Sequence, residues 1–154
     1  MQLSSHSELI AVMRELWTLL DTLAIVKHGA SLQIPPPDTG VHPASIFCVD
    51  AALAAGFTLE AVTVMSALPY LHDSQPDSGQ RAVELSGSTF PLSYLHSDEG
   101  DFNSMREIYG DAEEMLLPAD FRLMWQNIYG TEYIYDTEKS MSFLALACLL
   151  RRPC

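Results

Sequence analysis

The sequence predicts an α+β fold, with N-terminal helices packed on a C-terminal antiparallel sheet, and three observations carry the prediction. Apolar residues recur at helical spacing near the start of the chain. Proline and glycine divide the middle into short segments. From residue 118 onward the pattern becomes alternation. Phe121, Leu123 and Trp125 alternate with Arg122, Met124 and Gln126; Tyr133 and Tyr135 alternate with Glu132, Ile134 and Asp136; Met141 and Phe143 alternate with Ser140 and Ser142. Successive strand side chains point to opposite faces, so this alternation marks half-buried strands. Turn residues at 127–130 and 136–139 separate the runs into a three-stranded meander. Phe121, Leu123 and Trp125 are expected to face the helices, because an apolar sheet face needs a covering layer.

A chain of 154 residues is expected to form one domain over 1–154. It is long enough to bury roughly 70% of its unfolded surface without a metal or disulfide staple. The formal charge of −12, from 20 acidic and 8 basic residues, argues against a nucleic-acid partner. It also disfavours docking on anionic membranes. Cys48, Cys148 and Cys154 form no CxxC pair, and an odd number of thiols suits a reducing, cytoplasmic setting. No basic leader opens the chain, Arg14 and Glu15 interrupt the first apolar residues, and no apolar run reaches about 18 residues. Neither a secretory signal nor a spanning helix is therefore predicted.

In chain order, Ser5 and Glu8 have capping-box spacing and predict a helix over 7–26, with Gly29 beyond its end. Leu9, Val12, Met13, Leu16, Leu20 and Leu23 form its expected core stripe, with Trp17 and Leu19 on the margins. Pro35, Pro36 and Pro37 favour an extended connection. A helix over 44–55 follows, ended by Gly56, and then a second over 59–68, capped by Thr58 and stopped by Pro69. Residues 72–87 read as a surface loop, and Phe90, Leu92 and Tyr94 as a short strand whose Pro91 suits an edge. His96 to Asp101 reads as a charged loop, 102–109 as a helical turn and 111–114 as an acidic lead into the meander. Residues 144–150 are apolar on nearly every side and suit either a short helix or a buried last strand.

Motifs for chemistry are sparse. His6, His28, His42, His72 and His96 form no HExxH or HxH arrangement. His96, Asp98, Glu99 and Asp101 supply hard ligands, but Gly100 falls too early for a calcium loop, so a solvated acidic loop without metal is expected. His72 and Asp73 are adjacent, which seldom converges on one substrate. Cys48 lies in an apolar predicted helix, where a thiol is usually inert. Neither GxSxG nor a phosphate-cradling glycine loop occurs, so no catalytic residue, metal or cofactor is assigned.

Two stretches carry a resemblance. One runs from Ala51-Ala52-Leu53-Ala54-Ala55-Gly56-Phe57 to Met65-Ser66-Ala67-Leu68-Pro69-Tyr70-Leu71, and the other joins Tyr129-Gly130-Thr131 to Ile134-Tyr135-Asp136-Thr137. The chain resembles a group of uncharacterised proteins of filamentous fungi, whose architecture is similar to the SUKH superfamily. That resemblance implies N-terminal helices, an antiparallel sheet and a role in protein interaction, as immunity proteins or signalling scaffolds. It carries over no catalytic residue. The apolar residues 143–150 depart from the pattern, where further alternating strand is expected. A non-catalytic protein-interaction module is therefore expected, with Tyr129, Tyr133 and Tyr135 as exposed partner-binding anchors. The alternative is a small metabolic enzyme, of isomerase or cyclase type, with a pocket between helices and sheet.

Overall fold

The computed structural model describes residues 3–23, 30–73, 89–108, 111–126 and 131–146. Helix α1 (Ser7–Thr22) follows one 3-10 turn, Leu3–His6. Its N-cap is His6 rather than the predicted Ser5, and it closes at Leu23, short of the predicted end. The expected core stripe is rotated. Met13 is buried as predicted, but Trp17, placed at the margin, is the most deeply buried residue of the helix, while Val12 and Leu23 face outward. The reason is the indole: its large apolar ring is buried in the core, and its N–H donates to the Pro69 carbonyl at 3.1 Å.

Two helices follow at a sharp corner. Pro43 to Ile46 forms a turn, not helix, with the amides of Ile46 and Phe47 donating to the Pro43 carbonyl. Helix α2 (Val49–Ala54) is therefore shorter than predicted, and exposed Cys48 is its N-cap rather than part of a packed face. Gly56 adopts φ of +91°, the left-handed geometry predicted past the helix end. Helix α3 (Leu59–Ala67) starts as predicted, with Thr58 Oγ1 accepting from the Ala61 amide at 3.1 Å. Ala61, Val62, Val64, Met65, Ser66 and Ala67 are all buried, so α3 is enclosed on nearly every side.

Strands β1 (Ala30–Gln33) and β2 (Tyr70–Asp73) pair as an antiparallel ribbon that the sequence reading missed. The edge strand β3 (Thr89–Pro91) precedes α4 (Glu99–Arg106), the short pair β4 (Glu107–Ile108) and β5 (Asp111–Met115), and then the predicted meander. That meander is β6 (Asp120–Gln126), β7 (Thr131–Asp136) and β8 (Met141–Leu146), and the four-stranded sheet runs β3-β6-β7-β8. Of the apolar tail, residues 143–146 are strand; 147–150 lie outside the described residues. Among the described residues no helix is long and apolar enough to cross a membrane.

The core lies between α1, α3, α4 and the sheet, and Tyr94 sits at its centre. Its ring stacks on Phe102 at 5.8 Å and meets Phe121, Phe57 and Tyr70 edge-on at 6.2–6.4 Å. Its hydroxyl donates to the Arg122 carbonyl and accepts from the Arg122 amide, which ties the loop after β3 to β6. A bulge between Arg122 and Met124 breaks the alternation of β6. Phe121 and Leu123 therefore face the core as expected, Met124 joins them, and Trp125 turns aside to lie 5.4 Å from Phe90 on β3.

Candidate functional site

Of the predicted tyrosine anchors, the two among the described residues both pack toward the core. Tyr129 lies outside the described residues. Tyr133 is half-buried against the core, and Tyr135 is only 3% exposed. Tyr135 stands opposite Phe121 on β6, with the rings 5.6 Å apart, so the core claims it. Strand alternation fixes the spacing of side chains but not which phase faces inward. The Tyr135 hydroxyl lies 2.9 Å from His6 Nδ1, and His6 Nε2 lies 3.2 Å from Glu60 Oε1. This chain of contacts joins the sheet, the 3-10 turn and α3. Burial raises the Tyr135 pKa, so its phenol stays protonated at neutral pH.

The opposite face of β6 and β7 carries a row of buried charged residues. Arg122 Nε donates to Glu132 Oε1 at 2.9 Å, and its guanidinium also donates to the carbonyls of Met105 and Glu107. Further along the ladder Asp120 stands directly across from Asp136. They are 6% and 4% exposed. Lys139 neutralises Asp136, through its ammonium at 2.5 Å and its amide at 3.0 Å. Among the described residues Asp120 Oδ1 has no hydrogen-bond partner. Burial, and then the neighbouring Asp136 charge, raise the Asp120 pKa, whereas the hydrogen bond from Lys139 lowers that of Asp136.

The other titratable clusters are occupied by structural work. Asp98 and Asp101 form a reciprocal capping box at the start of α4, with bonds of 2.9 and 3.0 Å to each other's amides. The predicted acidic loop is thus a helix start. Among the described residues no group of three or more His, Cys, Asp or Glu is placed to hold a metal ion. His42 Nε2 meets the Leu68 carbonyl at 2.9 Å, and burial lowers its pKa. Arg106 lies over Phe57 and donates to the carbonyls of Ala55 and Leu116, joining the ends of α2 and β5. His72 and Asp73 sit on β2, and their side chains lie outside the described residues.

The outer face of α1 remains. Leu9, Val12, Leu16, Leu19 and Leu23 recur at steps of three and four, the seam spacing of a coiled coil. Leu9 and Leu16 are half-buried against the core, while Val12 is 54%, Leu19 54% and Leu23 58% exposed. Exposed Glu8 and Glu15 each precede a seam residue and line its outer edge. Arg14, the one basic residue of α1, points elsewhere and lines an open groove of about 360 Å³ with Ser4, Ser7, Ile10 and Ala11. The apolar arc of α1 is thus wider than the core it covers. Only the three–four repeat, distinct from the broader helical stripe, signals this in the sequence.

Comparison of the chain with protein-family models, with curated proteins and with solved structures finds no match.

Proposed function

We propose that the chain is a non-catalytic protein-interaction module whose docking face is the outer side of α1. The observation that carries this reading is the seam: Val12, Leu19 and Leu23 are each more than half exposed along the flank of a helix whose Met13 and Trp17 are in the core. Water-exposed apolar side chains in a contiguous stripe favour association. The resemblance to the SUKH superfamily supports the same class of function.

The test separates the two faces of α1. Trp17→Ala should destabilise the fold by about 3–5 kcal/mol, as removal of a buried indole does. Leu19→Asp should leave the melting temperature nearly unchanged and abolish partner binding, read as loss of co-purification with a partner identified through the parent chain. If Leu19→Asp binds that partner as the parent does, the face is wrong.

One observation favours a catalytic reading, the Glu60–His6–Tyr135 chain, in which a neutral phenol could serve as a proton donor. Conversion of a small metabolite by the purified protein, lost in Tyr135→Phe while the fold persists, would favour it over docking.

A further inference from the structure

The seam on α1 leaves open what covers it, and the charges beside it narrow the choice. Resting on the docking reading above, we infer that the occupant is an amphipathic helix of a second protein, apolar at heptad spacing and flanked by Lys or Arg. A second copy of this chain is the first occupant to weigh, because five apolar residues at steps of three and four would match themselves. Its charges oppose it. In an antiparallel self-pair centred on Leu16, Glu15 of each helix approaches Glu15 of the other, and like charges at that place repel. In a parallel self-pair, Glu8 and Glu15 face the positions of Met13 and Leu20, which offer no cation and are turned toward their own core. Arg14 is about 200° around the helix from Val12 and reaches neither arrangement. The net charge of −12 adds a general repulsion between copies.

A basic flank resolves each of these conflicts. Lys or Arg at the edge of an incoming helix meets Glu8 and Glu15, one heptad apart on the rim of the seam. Val12, Leu16, Leu19 and Leu23 supply the apolar half of the contact. The exposed pairs contribute selectivity more than strength, and the apolar seam supplies most of the affinity.

The experiment uses the full chain and two helical peptides of about three heptads. Both carry Leu at the seam, with Lys at the flanks in one and Glu in the other. Fluorescence anisotropy should show the Lys peptide binding roughly tenfold more tightly than the Glu peptide, the sum of a few exposed pairs made or opposed. The preference should invert on the double variant Glu8→Lys with Glu15→Lys, and Leu19→Asp should abolish binding of the Lys peptide. The chain alone should sediment as a monomer. Equal binding of the two peptides overturns the basic-helix inference and leaves α1 as a docking face. Self-association that Leu19→Asp dissolves also overturns it, in favour of a second copy. A monomeric chain that binds neither peptide overturns the inference and the docking reading together.

Discussion

Arg122 with Glu132 and Asp120 with Asp136 share one face of the same two strands, yet they handle buried charge in opposite ways. In the first pair, opposite charges meet at 2.9 Å, and the guanidinium also serves two carbonyls at the end of α4. In the second, two like charges face each other across the ladder, and among the described residues only Asp136 is paired with a cation. Neighbouring pairs on one ladder thus differ in sign and in completeness. The Arg122 cluster joins α4 to the sheet, while the Asp120 pair lies at the strand ends, beside the 137–140 turn that carries Lys139. Burial alone does not tell whether a charged group stabilises a fold; its partners do.

The largest expected effect breaks the first pair. Arg122→Met leaves Glu132 buried without its cation and should cost about 3–5 kcal/mol, read by denaturant unfolding. Adding Glu132→Leu should restore part of that loss, because an apolar pair needs no charge compensation. A double variant less stable than the single one would show that the unpaired Glu132 charge is not the source of the loss.

A smaller effect, of opposite sign, is expected at Asp120. Its pKa is raised in the fold, so its favourable contribution is present below the ordinary carboxylate range and lost as pH rises through the folded value. Asp136 behaves in the reverse sense: its pKa is lowered, and its contribution is lost as pH falls through that value. Asp120→Asn should therefore raise the melting temperature at neutral pH by roughly 2–4 °C, the size that about 1 kcal/mol produces in a chain of this length. The gain should vanish in acid, where the parent Asp120 is already protonated. A variant equally stabilised at both pH values would show that charge is not the cause.

The smallest effect is on titration alone. Lys139→Met removes the hydrogen bond that lowers the Asp136 pKa, which should then move up toward its ordinary value. Carboxyl carbon shifts followed by NMR would show this, and an unmoved Asp136 would assign its lowered pKa to another group.

The meander was legible in the sequence because three alternating runs and two turn signals coincide, and α3 because Thr58 and Pro69 bracket it. The missed elements lacked such local signals. β1 and β2 have four residues each and find each other across the chain, Ala30 opposite Asp73. β5 carries Asp111, Glu113 and Glu114, which local propensity disfavours in strands. Asp98 and Asp101, expected in a solvated acidic loop, instead cap α4, because two aspartates three residues apart can serve each other's amides as a capping box. The inward turn of Tyr135 had a different cause: alternation is the same for either phase of β7, and in the fold Tyr135 is covered by the core and Glu132 by Arg122. The α1 seam was hidden inside a helical stripe that a single packed face also explains.

Gly56 shows how narrowly one position can be held by two unrelated requirements. Its φ of +91° strains any residue with a side chain, and an added Cβ would lie 2.5 Å from Arg106 Nη1. The arginine is not free to yield, because it is buried and its nitrogens hold the carbonyls of Ala55 and Leu116. Mutational drift at this site therefore has no neutral neighbour to move to. A library randomised at position 56 and sorted for folded chains should return glycine, and a second-site change at Arg106 would relieve the crowding while leaving the backbone angle still to be met.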